Sequence, residues 1–272
     1  MSIMNLKYYR SKFPFLKVVI NSSPFFFEKD YNNYMFEEKF MVTSNDVDKN
    51  LEIRLSNLTR YMQQVATDHA NLLNIGHKDL VKERQVWIII RTLLKINRLP
   101  KMDEEFYVST HPGKTKMFLY PRYFQVYDKD HNLLVNASST WVIINYDTRK
   151  VVMHPLSDKT LPQEEFEGDI ELPEKVLGDP NALVDTRKAQ YSEVDMNGHI
   201  NNTRYIDYVL DLHDSSFHEK YQIKSFLINF DKEIMEGEKV ELFSNQSLSE
   251  VVQGKVNGQS SFLAKVEYEE RK

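Results

Sequence analysis

A dense polar cluster lies just before a predicted helix near residue 200. Asp195, Asn197 and His199 alternate there with other residues, and two asparagines follow at once. Gly198 lets the backbone turn or approach a ligand closely, and a helix N-terminus offers unpaired N–H groups and a partial positive charge. A carboxylate, an amide and an imidazole so placed could bind a carbonyl oxygen, orient a water and move protons. The same residue types also cap helices and form turns, so the pattern by itself leaves a structural role open.

A second candidate is a carboxylate at the end of a predicted strand. In the run Phe230-Asp231-Lys232-Glu233, alternate residues share one face of the strand, so Glu233 lies on the side of Asp231 and Asn229. A carboxylate at this strand end, across from the helix start, could activate a water. A solvated charge at the edge of a sheet would explain the same pattern.

The helix and sheet that would position these candidates occur twice in the chain. Asn57–Met62 matches Asn201–Ile206 at an offset of 144 residues, and apolar residues follow both at helical steps of three and four. Ser56 or Asn57 is the expected N-cap of the first helix. One of the paired asparagines that open the second match would cap the second helix, whose apolar pattern extends to Phe217.

Strand-like segments rich in valine, isoleucine, threonine and aromatic residues surround each helix. They cover 36–43, 85–94, 105–110, 118–127 and 138–146 in the first copy, and 183–189, 222–232, 239–245, 250–257 and 260–269 in the second. One strand precedes each helix and four antiparallel strands follow it. A long apolar helix wrapped by a curved antiparallel sheet is a hotdog, so the sequence predicts an α+β chain with two hotdogs in tandem.

Composition divides the chain into four parts. Residues 1–34 are rich in aromatics and asparagine and are expected to form an irregular N-terminal arm, with an extra packed strand as the alternative. Residues 35–154 and 181–272 would form the two hotdogs. Residues 155–180 hold four prolines and a run of acids, which is typical of a linker that crosses the surface between domains.

The two copies differ at the polar cluster. At the offset of 144, Ile53 falls opposite Asn197 and Leu55 falls opposite His199. The first copy would therefore keep the helix and lose the polar residues. We infer from this alignment that the second half carries the chemistry.

Bulk composition excludes several classes of function. The formal net charge is −5, so nothing global indicates a nucleic-acid partner. The 272 residues include no cysteine, which excludes disulfides, thiolate metal sites and a cysteine nucleophile. The histidines show no ligand spacing, so no metal or cofactor is predicted. Neither a signal peptide nor an apolar stretch long enough to span a bilayer is present, and the cytoplasm is the expected location.

The run Asp195–Ile206, of pattern D-x-N-x-H-x-N-N-x-x-Y, resembles the signature of acyl-ACP thioesterases, the plant and bacterial enzymes that end fatty-acid synthesis. Trp87 lies in a strand followed by Leu99-Pro100, as in that family. Trp141-Val142 leads to a stretch that resembles the close of the family's first hotdog, with Asn145, Asp147, Thr148 and Arg149. The likeness covers about residues 36–269.

This resemblance implies hydrolysis of fatty acyl thioesters carried by acyl carrier protein. It implies that Asp195, Asn197, His199 and Glu233 are catalytic and that the first hotdog shapes the acyl pocket. Plant members have a cysteine directly after the glutamate, whereas this chain has Ile234, so attack by water is favoured. Either Glu233 or His199 could be the base. The N-terminus is not rich in serine and arginine, unlike a plastid transit peptide, which favours a bacterial cytoplasmic protein.

Two further sets of residues would serve the substrate. Candidates for an apolar acyl pocket lie on the first helix and its sheet: Met62, Val65, Trp87, Ile89 and Trp141. Plain core packing is the alternative for each. Carrier protein is acidic, and the basic residues that could dock it are Lys114, Lys116, Arg122, Arg149, Arg187 and Lys188, with ordinary surface charge as the alternative.

Three other functions fit parts of the same pattern. The nearest is hydrolysis of acyl-coenzyme A. A hotdog dehydratase would act on hydroxyacyl thioesters without releasing a thiol, and a non-catalytic protein would bind acyl chains and turn nothing over. A tandem hotdog already contains the pair of domains that single hotdogs reach by dimerising, so either a monomer or a homodimer is expected.

Overall fold

The computed structural model describes residues 16–17, 30–31, 35–153, 161, 166 and 168–271. Preceding the linker are strands β1 (Leu16–Lys17), β2 (Asp30–Tyr31), β3 (Phe36–Met41), β4 (Gln85–Ile96), β5 (Glu105–Pro112), β6 (Tyr120–Asp128) and β7 (Leu133–Asn145), and helices α1 (Leu55–Leu72) and α2 (His77–Leu80). Following it are strands β8 (Leu183–Lys188), β9 (Tyr221–Phe230), β10 (Lys239–Ser244), β11 (Ser249–Val256) and β12 (Gln259–Glu270), and helices α3 (Asn202–Leu210) and α4 (Ser215–Lys220).

The strands form one sheet in which the five strands nearest the junction of the halves follow the same order on each side, and β1 and β2 extend one edge. The order is β1-β2-β3-β5-β6-β7-β4-β9-β12-β11-β10-β8, and β4 pairs with β9 to join the halves. Leu93 of β4 lies opposite Leu227 of β9. From that seam outward, β4-β7-β6-β5-β3 mirrors β9-β12-β11-β10-β8. The α+β tandem hotdog predicted from the sequence is therefore confirmed.

The helices lie on one face of this sheet. Leu94 of β4 and Phe226 of β9 share a fully buried core with Leu58 of α1 and Val209 of α3. Their strand neighbours Leu93 and Leu227 face the other way, as alternation along a strand requires. On that second face they contact Ile170 and Leu172 of the inter-domain segment. The core thus runs through both halves.

The helix starts differ from the sequence prediction in one of two cases. Asn201 caps α3 as predicted, and its Oδ1 accepts the Thr203 N–H at 3.0 Å. The cap predicted for the first helix at Ser56 or Asn57 is wrong, because α1 begins at Leu55 and Arg54 is its N-cap residue.

The long second helix was also predicted wrongly. The apolar pattern to Phe217 is split between α3 and α4, because Asp214 begins a new helix by accepting the Phe217 N–H at 2.9 Å. A two-residue turn at Asn257-Gly258 joins β11 to β12, with φ of 50° and 75° at its two residues.

The inter-domain segment is anchored to the sheet. Residues 168–180 form no helix or strand. Their backbone makes hydrogen bonds to side chains of the sheet. Oδ1 of Asn229 accepts the Val176 N–H at 3.2 Å, and the Ser138 hydroxyl donates to the Glu171 carbonyl at 2.6 Å. Most of the predicted arm, 1–34, lies outside the described residues. No helix in the described ranges is long and apolar enough to cross a membrane.

Candidate active site

The loop between β8 and α3 is held closed by the carboxylate of Asp195. Its Oδ1 accepts the backbone N–H of Asn197 at 2.8 Å and that of His199 at 3.5 Å. The Asp195 N–H in turn donates to the His199 carbonyl at 2.8 Å. Gly198 adopts a φ of 83°, a left-handed conformation that glycine reaches without strain. Asp195 therefore positions the loop that carries Asn197 and His199.

Glu233 is brought to this loop by bonds of its neighbour. The carbonyl of Ile234 accepts the Ile200 N–H at 2.8 Å, and the Ile234 N–H donates to the hydroxyl of Tyr205 on α3 at 3.1 Å. Burial raises the pKa of the Tyr205 phenol, so this hydroxyl stays neutral. Because Ile234 is held on both sides, Glu233 lies at the start of α3.

The side chains of His199 and Glu233 meet at this point. Nε2 of His199 lies 3.4 Å from Oε2 of Glu233, and the two side chains are 24% and 38% exposed. The other carboxylate oxygen, Oε1, accepts a hydrogen bond from Nη2 of Arg149. An imidazole and a carboxylate that face each other and are partly exposed can share the proton of a bound water.

Asn197 is exposed, while its backbone N–H is used within the loop. The residue is exposed, so its amide is accessible to a ligand. Hydrogen bonds within the loop use the backbone N–H groups of Asn197, Gly198, His199, Ile200 and, through the Glu193 carbonyl at 2.8 Å, Asn201. A ligand oxygen at the helix start would therefore meet the N–H of the next residue, the first of α3.

The alignment of the two halves at 144 residues is wrong at the site. Val47 bridges Ile53 in the first half, and Val194 bridges Ile200 in the second, so each residue stands 147 positions before its counterpart. The N-cap residues Arg54 and Asn201 keep the same spacing.

The error arises from helix geometry. A slip of three residues is close to one helical turn, so apolar periodicity agrees with both alignments. The identical asparagine, threonine, arginine and tyrosine in the matched segments favoured the wrong one.

In the corrected alignment the first half keeps most of the polar loop. Asp48, Asn50 and Glu52 stand where the second half has Asp195, Asn197 and His199. The first-half loop borders a cavity of 250 Å³ between the halves. Glu52 forms a two-bond ion pair with Arg271, at 3.0 and 2.8 Å. The prediction that apolar residues replaced the polar ones is therefore wrong: a glutamate replaces the histidine and is neutralised by an arginine.

The residue opposite Glu233 is apolar. The Ile53 N–H donates to the Pro100 carbonyl at 2.9 Å, as the Ile200 N–H does to Ile234, so Leu99 stands in the place of Glu233. The first copy has thus lost both members of the imidazole–carboxylate pair. We therefore still interpret the second half as the one that carries the chemistry, because only that half has both the histidine and the glutamate.

Two of the five residues predicted for the acyl pocket line a cavity. Trp87 and Trp141 border a space of 150 Å³ beneath α1, together with Gln63, Ala66, Thr67, Ala70, Pro112, Tyr120, Pro121, Arg122 and Leu161. Met62 and Val65 are buried in the main core and Ile89 is buried in β4. Gln63 ties the cavity to the site, because its amide donates to Oδ1 of Asn202 at 3.1 Å.

The basic residues predicted for docking separate into different environments. Arg122 is buried, and burial lowers its pKa to about 10, so the prediction that it docks a partner is wrong. Arg187 pairs with Asp185 and Asp211. Lys114, Lys116 and Lys188 are exposed. Arg149 is the residue whose role the sequence understated, because only the folded chain brings it to Glu233.

Among the described residues, no group of three or more histidine, aspartate or glutamate side chains could hold a metal ion.

Two family models match the chain. The acyl-ACP thioesterase N-terminal domain matches residues 33–157, and the acyl-ACP thioesterase C-terminal domain matches residues 181–270. A chloroplastic palmitoyl-acyl carrier protein thioesterase of Arabidopsis thaliana is 24% identical over 223 residues, or 73% of this chain and 52% of that protein. An oleoyl-acyl carrier protein thioesterase of the same plant is 23% identical over 258 residues, covering 84% and 67%. The chain thus spans about half the length of the first of these relatives.

Solved structures give the same result for the fold. An acyl-ACP thioesterase from Bacteroides thetaiotaomicron superposes with a TM-score of 0.81 at 27% identity, covering 86% of this chain and 98% of that one. The 12:0-ACP thioesterase of Umbellularia californica superposes with a TM-score of 0.77 at 19% identity, covering 89% and 99%.

Proposed function

Because the chain belongs to the acyl-ACP thioesterase family, we propose that it hydrolyses a fatty acyl thioester of acyl carrier protein to a free fatty acid and the carrier thiol. The observation that carries the proposal is the 3.4 Å contact between His199 and Glu233 at the start of α3. A general base beside a helix N-terminus is the arrangement that acyl transfer to water needs.

In the proposed reaction the amide of Asn197 and the N–H of Asn202 hold the thioester carbonyl oxygen. A water that contacts both His199 and Glu233 gives a proton to this pair while its oxygen attacks the carbonyl carbon. The tetrahedral intermediate then collapses, the C–S bond breaks, and the pair returns the proton to the leaving thiolate. Asp195 keeps the loop in shape through its two backbone bonds and takes no part in proton transfer.

The absence of cysteine supports attack by water. The chain contains none, and Ile234, which follows Glu233, is fully buried. A thioester exchange onto a protein thiolate therefore has no acceptor.

The apolar cavity beside Trp87 and Trp141 supports binding of the acyl chain, since Gln63 links this cavity to the first residue of α3.

The test is hydrolysis of acyl carrier protein thioesters compared with the matching acyl-CoA, by release of free thiol and of free fatty acid. We expect turnover of the carrier thioester, with losses of roughly 10² to 10⁴-fold in kcat for Glu233→Gln and for His199→Ala. His77→Ala, at an exposed histidine, is the matched control. Full activity in both site variants would refute the assignment.

The same assay separates the other functions. Preference for acyl-CoA would favour the coenzyme A hydrolase, and dehydration without thiol release would favour the dehydratase. Acyl-chain binding without either product would indicate a binding protein. A cytoplasmic location stays a prediction, since the plant relatives are chloroplastic, and so does the choice between monomer and homodimer.

A further inference from the structure

Arg149 reaches the candidate site from the other half of the chain. It lies in the turn after β7, 84 residues before Glu233. Its Nη2 donates to Oε1 of Glu233, while Oε2 of the same carboxylate faces the imidazole of His199 at 3.4 Å. The two oxygens of Glu233 are therefore divided between a fixed cation and the imidazole.

The turn that carries Arg149 is held by several hydrogen bonds and an ion pair. Oδ1 of Asn145 accepts the N–H of Asp147 at 3.2 Å, the N–H of Thr148 at 2.9 Å and the Thr148 hydroxyl at 3.0 Å. Asp147 also forms an ion pair with Arg84. Arg149 itself adopts a φ of 57°, a left-handed conformation that is unfavourable for an arginine. A turn held in this way presents the guanidinium at a defined place.

We propose that Arg149 is a positioning residue for Glu233, so that the active site is built from both halves of the chain. The inference rests on the proposed function. The guanidinium holds Oε1 and thereby sets the rotation of the carboxylate, which leaves Oε2 directed at His199 and the attacking water. A planar guanidinium restricts a carboxylate in this way better than the point charge of a lysine does.

The ion pair at the first-half loop provides a control. Arg271 directly follows β12 in the second half, whereas Arg149 lies in the turn after β7. Arg271 pairs with Glu52 of the first-half loop. The two arginines therefore make similar ion pairs across the halves, one at the candidate site and one at the copy that has lost its histidine. The Arg271 pair is the more buried one, with side chains 24% and 12% exposed against 47% and 38% for the Arg149 pair. A purely structural role therefore predicts a larger loss of stability for Arg271 than for Arg149, and no change in kcat for either.

The test uses Arg149→Asn, Arg149→Lys and Arg271→Asn in the full chain. Asparagine removes the charge and tolerates a positive φ, so Arg149→Asn is expected to keep the unfolding temperature close to that of the parent. Each protein is assayed with an acyl carrier protein thioester and with the matching acyl-N-acetylcysteamine thioester, which has no carrier.

We expect kcat of Arg149→Asn to fall about 10² fold on both substrates, because a misplaced catalytic group costs about that much, with KM for the carrier substrate little changed. Arg149→Lys is expected to lose less activity than Arg149→Asn. Adding guanidinium ions to Arg149→Asn is expected to restore part of its kcat. Arg271→Asn should lower the unfolding temperature and leave kcat unchanged.

A change confined to KM for the carrier substrate would overturn the proposal and assign Arg149 to docking. Unchanged kcat in Arg149→Asn, in an assay where Glu233→Gln is inactive, would overturn it while leaving the proposed function intact. If the parent releases thiol from neither substrate, the proposed function fails and this inference fails with it. A crystal structure of Arg149→Asn in which Glu233 still faces His199 would also count against it.

Discussion

Asp48 and Asp195 hold their loops by the same bonds. Oδ1 of Asp195 accepts the Asn197 N–H at 2.8 Å, and Oδ1 of Asp48 accepts the Asn50 N–H at 2.8 Å. The backbone N–H of each aspartate donates to the carbonyl four residues on, at 2.8 Å and 2.9 Å. The loop architecture is therefore common to both halves, and the difference between them lies in the side chains that the loops present.

Substitutions at Gly198 and Leu51, which precede His199 and Glu52, should test whether the two loops share one backbone conformation. Gly198 and Leu51 are equivalent, with φ of 83° and 59°. Gly198→Ala has room for its Cβ but should cost about 1 kcal/mol for the left-handed backbone. Leu51→Asn, at a half-exposed leucine, should gain about 0.5 kcal/mol, because asparagine tolerates this conformation. Urea unfolding measures both, and changes of the same sign would contradict the equivalence.

The Glu52–Arg271 pair should stabilise the junction of the two halves. Its side chains are 12% and 24% exposed, so removing Arg271 leaves a carboxylate largely out of solvent. Arg271→Met should lower the free energy of unfolding by about 2 kcal/mol. Arg84→Met, in an exposed ion pair with Asp147, is the control and should cost less than about 1 kcal/mol. Equal losses of unfolding free energy in the two variants would show that the Glu52–Arg271 pair stabilises the chain no more than an exposed ion pair does.

The cavity under α1 should set the acyl chain length. Ala70 lines this cavity beside Trp87 and Trp141, so Ala70→Leu shortens the available space. We expect kcat/KM for long acyl chains to fall by at least 10-fold relative to short ones, since a misfitting methylene in a pocket costs about 1–3 kcal/mol. Ala182→Leu, at an exposed alanine, should leave the profile unchanged. An unaltered profile in Ala70→Leu would place the acyl chain elsewhere.

Buried His111 should make stability depend on pH. Burial lowers its pKa to about 4, with the nearby charge of Arg122 as the smaller cause. The unfolded chain has a histidine pKa near 6.5, so it binds the proton more readily than the folded chain does. Stability should therefore fall as the pH drops from about 6.5 to about 4, by up to about 3 kcal/mol.

The check is urea unfolding of the parent, His111→Phe and His77→Asn across this pH range. His111→Phe should lose less stability toward acid than the parent does. His77→Asn, at an exposed residue, should follow the parent curve. Parallel curves for all three proteins would exclude His111 as a source of the acid sensitivity.

The sequence by itself determined the local structure and the main polar cluster. Alternating and helical patterns predicted the strands and the presence of the helices because they depend on neighbours a few residues away. They missed the start of the first helix and the break before Phe217. The same local pattern limited the cap of α3 to two adjacent asparagines, of which the structure selects Asn201. The run from Asp195 to His199 stood out because its polar residues are close together in the chain.

Tertiary structure decided what is distant in sequence. A helix presents nearly the same face after a slip of three residues, so periodicity could not distinguish an offset of 144 from one of 147. The meeting of Arg149, His199 and Glu233 joins residues up to 84 positions apart, and no local pattern encodes it. It follows from the pairing of β4 with β9, which brings the two halves together around one site.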